Sequence, residues 1–397
     1  MPRVLSVSSS RADVGLLKPV WRALASRKTV ELHILATGMY AGEEFQDVPA
    51  SIAATLHRAG EDMGGQTGFA AARSMAASAV AAAEIFDRFE FDCILVTGDR
   101  LDMIPAAFAA LPYNIPLAHL HGGELTYGAI DDRVRHAMTK MSHLHFVSGV
   151  DAAERLARMG EEPWRIRITG APGLEALAAA PSLSAAEFAG KLNLPFDSEF
   201  LIVTVHPETN SADPEAPMRA VLAALEEAGT RALITAPNAD PHGLKLRALL
   251  DRWLPGRPQV AFRDTLGTEL YANALRHAVA MVGNSSSGLI EAGVFGLPVI
   301  NVGTRQQGRA AGDNVQHVAN DANAIVRALR ELLKSRKRFA AGSPYGDGHA
   351  GERIAAVLAE LPERRRLLEK VFYDGGTPLF KAPWDGSKES DRKRSVG

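Results

Sequence analysis

The chain has 397 residues and a formal net charge of −2, from 44 basic and 46 acidic side chains. That balance excludes the strong positive field of proteins that bind nucleic acid or anionic membranes, so neither is expected as a partner. A single cysteine, Cys93, also excludes a disulfide framework and a cysteine-based metal site, and we expect it to be inert within a strand.

Predicted strands and helices alternate in two series separated by a linker. The first series has strands at residues 4–8, 31–36, 93–96, 117–121, 145–147 and 166–169, with helices between them, including the alanine-rich stretch 70–86. Residues 178–198 are the linker candidate. The second series has strands at residues 200–205, 231–235, 260–262, 278–282 and 298–301. This alternation predicts an α/β fold in which two Rossmann-like domains face each other across a central cleft.

Neither end of the chain predicts a membrane or export signal. The first residues are too few and too polar for a signal peptide, and no apolar run approaches the roughly 18 residues of a membrane helix. The last residues, 381–397, are polar and charged and are predicted to be disordered. We therefore expect a cytoplasmic protein.

Ionisable residues concentrate in three clusters between residues 97 and 136. The first two follow predicted strands and the third opens a helix; their members are Asp99 and Asp102, then His121 and Glu124, then Asp131, Asp132, Arg135 and His136. The carboxyl ends of parallel strands are where α/β proteins build their active sites. The clusters therefore predict a catalytic site on the first domain.

Local structural roles compete for some of these residues. Asp131 or Asp132 is expected to cap the helix that follows, because Asp is favoured at helix N-termini. Asp102 could cap the next helix along, and either His119 or His121, which alternate on one strand, could be a hydrogen-bonded core histidine. The two aspartates together, with an arginine and a histidine on the same helical face, favour catalysis.

The second domain carries a serine-rich turn at Ser285, Ser286 and Ser287, between a predicted strand and a helix. Such a turn can offer N–H and O–H donors to a phosphate, although serine is also an ordinary helix cap. Glu291 lies four residues after Ser287, not the three of a capping box. A carboxylate at that place can instead accept the two hydroxyls of a ribose.

Other polar residues also follow predicted strands. They are Arg11 after the first strand, His206 and Asn238 in the second domain, and Arg305 in the loop after residue 301. The arginines are suited to bind phosphate oxygens. The composite predicts a nucleoside-diphosphate site in the second domain that faces an acid/base site in the first.

Seven segments, in order along most of the chain, resemble one family. They are RADVGLL at 11–17, GDRLD at 98–102, HGGE at 121–124, GAIDD at 128–132, RHAMTK at 135–140, NSSSG at 284–288 and YGDG at 345–348. This set is similar to the hydrolysing UDP-N-acetylglucosamine 2-epimerases of sialic-acid and related nonulosonic-acid biosynthesis.

The resemblance implies a fold of the glycosyltransferase-B type and a homodimer. The first domain would span residues 1–178 and be joined by a C-terminal helix at 363–373, and the second would span 179–362. No metal site is evident in the sequence, and no cofactor is expected. The resemblance also implies a reaction in two steps. UDP is eliminated from C1 while a base removes the C2 proton, and water then adds to the resulting 2-acetamidoglucal to give N-acetylmannosamine.

The resemblance assigns roles to the predicted site residues. Groups that stabilise the departing pyrophosphate would be Arg11, Ser285, Ser286, Ser287, His206 and Arg305, with Asp102 and Asn238 as further substrate ligands. Proton transfer would fall to Asp99, Glu124, Asp131 and Asp132, with Arg135 beside them, and Asp131 or Asp132 is predicted to act at C2. Glu291 would hold the ribose.

Two departures from the family pattern lie where the sugar should bind. His121 stands where many relatives have a catalytic glutamate, so either His121 performs acid/base work or Glu124 replaces the missing carboxylate. Val14 replaces an aromatic residue. A UDP-2,4-diacetamido-2,4,6-trideoxyhexose, on the legionaminic-acid branch, is therefore an alternative substrate. A glycosyltransferase, a non-hydrolysing epimerase and a nucleotide-sugar sensor are alternatives of other classes.

Overall fold

The structure is a computed structural model that describes residues 1–38, 48–59, 68–126, 130–208, 211–237, 242–376 and 378–384, without the side chains of Arg11 and Ala12. The chain forms two compact units. Unit 1 comprises Met1–Glu124, Ile130–Ala176 and Tyr345–Gly397, and unit 2 comprises Leu125–Ala129 and Leu177–Pro344. The predicted disorder of 381–397 lies outside the described residues, except for 381–384.

The described strands are, in chain order, β1 Arg3–Ser8, β2 Glu31–Ala36, β3 Thr55–Arg58, β4 Cys93–Thr97, β5 Leu117–Leu120, β6 Leu144–Val147, β7 Ile166–Ile168, β8 Phe200–Thr204, β9 Arg231–Thr235, β10 Val260–Arg263, β11 Ala280–Gly283, β12 Val299–Val302 and β13 Val315–Val318. The α-helices are α1 Arg11–Ala25, α2 Gly68–Arg88, α3 Ile104–Ala110, α4 Asp131–Met141, α5 Val150–Arg158, α6 Pro172–Ala178, α7 Ala185–Lys191, α8 Ala216–Ala228, α9 Gly243–Trp253, α10 Gly267–His277, α11 Ser286–Ile290, α12 Ala322–Ser335, α13 Ala350–Ala359 and α14 Arg364–Leu368.

Unit 1 is built on a seven-stranded sheet in the order β3-β2-β1-β4-β5-β6-β7, and all its described strand pairs are parallel. Helices cover both faces, so the central strands are buried on both sides and read as apolar runs. In β1, Val4 packs into the core cluster of one face and Leu5 into that of the other. Ser6, the polar residue that follows them, accepts a 2.8 Å hydrogen bond from the buried Trp21 indole.

The C-terminal part of the chain packs on unit 1. Helix α13 lies against α1 so closely that a Cβ on Gly351 would come within 2.8 Å of the Pro19 carbonyl carbon. The fully buried Arg165 donates to the carbonyl oxygens of Leu367, at 2.8 Å, and Glu369, at 2.9 Å. The helix expected at 363–373 is shorter than predicted: α14 spans Arg364–Leu368, and residues 369–376 form no helix or strand.

Helix α2 changes one expectation. By length and composition it is apolar enough to cross a membrane, and it is the one such helix among the described residues; 22% of its apolar window is buried in the protein. The expectation that no stretch of the chain is apolar enough to span a membrane was therefore wrong for α2. The many alanines of α2 raise its mean hydropathy, although it has no run of large apolar side chains. Core helices of water-soluble proteins can have the same length and apolar composition.

Unit 2 is built on a six-stranded sheet in the order β10-β9-β8-β11-β12-β13, again with all described pairs parallel. Two core clusters cover its two faces, one centred on α8 and α12 and the other on α7 and α10. At the end of β11 the chain needs a glycine. Gly283 has a φ of +142°, and a Cβ there would lie 1.9 Å from the Thr204 carbonyl oxygen of the neighbouring strand.

The structure corrects three further expectations. The predicted linker at 178–198 contains helix α7, whose N-terminus is a capping box between Ser184 and Glu187. Strands β3 and β13 were not predicted. The predicted strand at 117–121 ends one residue early, because His121 has a φ of +64° and leaves the sheet.

Candidate active site

Two of the predicted clusters in unit 1 are joined by an ion pair. Asp99 follows the buried strand β4, and its carboxylate contacts the guanidinium of Arg135 on α4. Arg135 is only 3% exposed, whereas Asp99 is 23% exposed. A buried arginine against a partly exposed carboxylate fixes that carboxylate at the carboxyl edge of the sheet.

His119 is the core histidine of the predicted pair. It is fully buried, with Nε2 2.8 Å from the Gly98 carbonyl oxygen and Nδ1 3.2 Å from the Thr139 hydroxyl. A carbonyl oxygen can only accept, so Nε2–H donates and Nδ1 accepts from Thr139. Burial lowers the pKa of His119 to about 3, so the ring is neutral and ties the end of β4 to helix α4.

His121 and Glu124 form a pair of their own. The Nδ1 atom of His121 lies 2.8 Å from Oε1 of Glu124, and the same oxygen accepts a 2.8 Å hydrogen bond from the hydroxyl of Ser148. Glu124 is 7% exposed and His121 12%. An ionised Glu124 accepts from Nδ1–H, which leaves Nε2 of His121 as the nitrogen that can exchange a proton.

The two aspartates of the third cluster lie in the first turn of α4. The residue that caps this helix is Ile130, whose side chain forms no cap hydrogen bond, so the expected Asp cap is wrong. Asp132 lies 3.5 Å from Nε2 of His136, one turn along the helix. Burial lowers the pKa of His136, and the Asp132 carboxylate opposes that shift.

Asp102 does not cap a helix either. It lies inside the short 3-10 turn Leu101–Met103, and its carboxylate is 3.2 Å from Nη2 of Arg100. It also packs against Gly38, where an added Cβ would come within 2.8 Å of the Asp102 Cβ. Gly38 therefore keeps the end of β2 close to this carboxylate.

In unit 2, the serine-rich turn opens α11. Ser285 caps the helix by accepting from the backbone N–H of Ser287 at 3.4 Å, and the Ser287 hydroxyl contacts the hydroxyl of Tyr271. Ser286 is the first residue of the helix. Glu291 directly follows the helix; burial raises the pKa of its carboxyl, and a hydrogen bond from Ser287 opposes that shift. Tyr271 thus orients a hydroxyl that also reaches Glu291.

His206 and Arg305 follow β8 and β12, the two strands that flank β11, and they are joined through Asn284, which follows β11. The backbone N–H of His206 donates to Oδ1 of Asn284 at 2.7 Å, and Nδ2 of Asn284 donates back to the His206 carbonyl at 2.9 Å. Nη1 of Arg305 lies 3.4 Å from the Asn284 carbonyl. Burial and the Arg305 charge lower the pKa of His206 to about 3, so its ring is neutral at neutral pH.

Several contributors were not predicted from the sequence. Ser148 and Tyr271 complete the hydrogen bonding of Glu124 and Ser287, and Glu208 accepts from the loop that carries Arg305. Only Glu208 had a signal, since it is a carboxylate a few residues after the end of β8. The predicted ligand Asn238 lies outside the described residues, as does the side chain of Arg11.

Within the described ranges, no group of three or more His, Cys, Asp or Glu side chains is placed to hold a metal ion. Cys93 is fully buried in β4, as expected, and burial raises the pKa of its thiol to about 12, which disfavours the reactive thiolate.

Solved structures share this fold. UDP-GlcNAc 2-epimerase from Neisseria meningitidis bound to UDP-GlcNAc matches with a TM-score of 0.76 at 18% identity, over 90% of this chain and all of that one. The enzyme from Methanocaldococcus jannaschii in complex with UDP-GlcNAc and UDP matches with a TM-score of 0.71 at 16% identity, over 90% and 99%. The prediction of two Rossmann-like units in a glycosyltransferase-B-like fold is confirmed.

Relatives of known name match nearly the whole chain. A UDP-N,N'-diacetylbacillosamine 2-epimerase (hydrolyzing) from Legionella pneumophila is 31% identical over 93% of this chain and 98% of its own length. A UDP-N-acetylglucosamine 2-epimerase from Neisseria meningitidis is 30% identical over 94% and 99%. The profile of the UDP-N-acetylglucosamine 2-epimerase family matches residues 22–359. The chain therefore belongs to the UDP-N-acetylglucosamine 2-epimerase family, as its motifs predicted.

Proposed function

We propose that the protein is a hydrolysing 2-epimerase of a UDP-2-acetamido sugar. The C1–O bond to UDP breaks while a base takes the C2 proton, which leaves a C1=C2 alkene. Water then adds its hydroxyl to C1 and a proton returns to C2 on the opposite face. The products are UDP and the free 2-epimeric sugar.

The observation that carries this proposal is the hydrogen-bonded chain from Ser148 through Glu124 to His121. Hydration of an alkene needs a group that can give or take a proton, and an imidazole oriented by a carboxylate is such a group. Glu124 and His121 therefore share the role that the sequence left open between them. Glu124 orients the ring, and Nε2 of His121 exchanges the proton.

The other acidic groups of unit 1 take separate roles in this proposal. Asp99 is a candidate proton carrier that Arg135 holds in place, so Arg135 is a positioning residue. Asp131 and Asp132, in the first turn of α4, are the candidates for the base at C2. Asp102, paired with Arg100, is a candidate ligand of the sugar.

Unit 2 supplies the groups for the nucleotide. Arg305 and the Ser285 to Ser287 turn can donate to the pyrophosphate, and departure of that group is what makes the C2 proton acidic. His206, neutral in the protein, donates one N–H, and a pyrophosphate beside it would raise its pKa again. Glu291 accepts from the ribose hydroxyls. Arg11 and Asn238 remain predicted ligands.

Two sugars are candidates. The motifs favour UDP-N-acetylglucosamine, which would give N-acetylmannosamine for nonulosonic-acid biosynthesis. A relative from Legionella pneumophila, 31% identical, is named as a UDP-N,N'-diacetylbacillosamine 2-epimerase. A relative from Campylobacter jejuni, 32% identical, is named as a GDP/UDP-N,N'-diacetylbacillosamine 2-epimerase. These names favour the diacetamido sugar as the second candidate.

Incubation with each UDP-sugar in deuterated water, followed by NMR, tests the proposal. We expect UDP and a free 2-epimeric sugar that carries deuterium at C2, from one of the two substrates faster than from the other. UDP-N-acetylmannosamine as the product would instead indicate a non-hydrolysing epimerase. No turnover of either sugar would overturn the catalytic proposal, and transfer to an added acceptor would indicate a glycosyltransferase.

A further inference from the structure

We propose that Glu208 is a positioning residue that sets the pyrophosphate-binding strength of unit 2. The proposal rests on the nucleotide role proposed for Arg305. Glu208 is 5% exposed and comes from the connection after β8. Its carboxylate faces the loop after β12, at the same edge of the sheet.

The carboxylate of Glu208 binds the backbone of that loop. Oε1 accepts from the N–H groups of Thr304, at 2.8 Å, and Arg305, at 3.1 Å, while Oε2 lies 3.4 Å from Nδ2 of Asn320. Charge-assisted bonds of this kind are stronger than neutral ones. Glu208 therefore fixes the backbone from which the Arg305 side chain extends.

Gly303 allows this close approach. Its φ is +78°, and an added Cβ would come within 2.5 Å of both Oε1 of Glu208 and Oδ1 of Asn320. A side chain at residue 303 would push the carboxylate out of reach of the two N–H groups. The contact between the loop and the Glu208 carboxylate therefore requires a glycine at residue 303.

The contacts close a ring of three loops. Glu208 holds Arg305, Arg305 reaches the carbonyl of Asn284, and the Asn284 side chain bonds both backbone groups of His206, two residues before Glu208. The ring joins the loops after β8, β11 and β12, and Asn284 immediately precedes the Ser285 turn. One carboxylate therefore sets the position of both phosphate-binding elements proposed for unit 2.

The test compares UDP with uridine, which lacks phosphates. In Glu208→Ala the loop loses its anchor, and we expect UDP to bind about tenfold more weakly or worse, with uridine affinity unchanged. Glu208→Gln keeps an oxygen for the two N–H groups, so its UDP affinity should stay within about threefold of the native value. Titration calorimetry for UDP and ligand-observed NMR for uridine give the two affinities.

Two further variants keep the outcome decisive. Asp213→Ala removes an exposed carboxylate from the same connection and should change neither affinity. If Glu208→Ala does not fold, Glu208→Asp retains the charge but shortens the reach, and it should also weaken UDP and spare uridine. Equal losses for UDP and uridine, or no loss of UDP affinity in folded Glu208→Ala or Glu208→Asp, would overturn the inference. A native protein that does not bind UDP would instead overturn the proposed function.

Discussion

The polar edges of the two sheets differ in how their charges are matched. In unit 1, ionisable side chains face one another, as in the pairs Asp99–Arg135 and His121–Glu124. In unit 2, the carboxylates of Glu208 and Glu291 bind backbone N–H groups or a hydroxyl, and His206 is neutral. Side chains that share protons with each other suit proton transfer, whereas fixed donors suit the binding of an anion. The comparison predicts that substitutions at the polar edge of unit 1 change kcat, whereas substitutions at the polar edge of unit 2 change the affinity for UDP.

The largest expected effect tests the rate side of that division. Asp131→Asn and Asp132→Asn remove the two candidate bases at C2, and the variant that loses the base should show kcat lower by about 100- to 10,000-fold. UDP affinity should be unchanged, because the nucleotide ligands are assigned to unit 2. Steady-state kinetics and UDP titration give both quantities.

A matched control for this prediction is Asp151→Asn. Asp151 also lies in the first turn of a helix, α5, but it is exposed and outside the three clusters. It should leave kcat within about twofold, since surface substitutions of this kind change little. If both α4 variants weaken UDP as much as they slow turnover, the division of roles between the units is wrong.

Lowering the pH should destabilise unit 1 more than unit 2. Burial lowers the pKa of His119 to about 3 and of His143 to about 4, both in unit 1, whereas unit 2 has His206, at about 3. Below the unfolded pKa of 6.5, the unfolded chain binds a proton that the folded chain does not. The free energy of unfolding therefore decreases as the pH decreases, until the pH reaches the folded pKa. Each such histidine costs up to about 1.4 kcal/mol per pH unit in that window.

Hydrogen exchange at pH 7 and pH 5.5 measures this difference. We expect amides of unit 1 to lose more protection than those of unit 2, by at least about 1.4 kcal/mol, or tenfold in the opening equilibrium. Burial also lowers the pKa of His57, His136 and His145, which all lie in unit 1. In His119→Gln the excess loss should shrink, and in His349→Gln, which alters an exposed histidine of unit 1, it should not. Greater loss of protection in unit 2 would contradict the prediction.

What the sequence could predict depended on how local each signal is. Buried parallel strands such as β4 and β8 stand out as apolar runs, and polar residues just after them were placed at the sheet edge. The edge strands β3 and β13 were missed because Thr55–Arg58 and Val315–Val318 are largely exposed and lack such a run.

The partners of the predicted site residues were harder to predict. Ser148 is 24 residues from Glu124 in the sequence. Glu208 is 96 residues from Thr304, whose backbone N–H donates to its carboxylate. Such pairs are formed only when the sheet brings separate loops to one edge. The sequence therefore identifies the groups that face a substrate better than the groups that hold them in place.

The smallest expected effect tests how finely unit 2 is arranged. Tyr271→Phe removes the hydroxyl that contacts Ser287, so the Ser287 hydroxyl loses one partner while its bond to Glu291 is retained. One neutral hydrogen bond corresponds to a weakening of UDP binding of about twofold to tenfold, with little change in kcat. Tyr113→Phe is the control, because that hydroxyl donates to the Ala83 carbonyl in unit 1. A Tyr271→Phe enzyme with a lower kcat and native UDP affinity would place Tyr271 in the chemical step, and the separation between the two sheet edges would not hold.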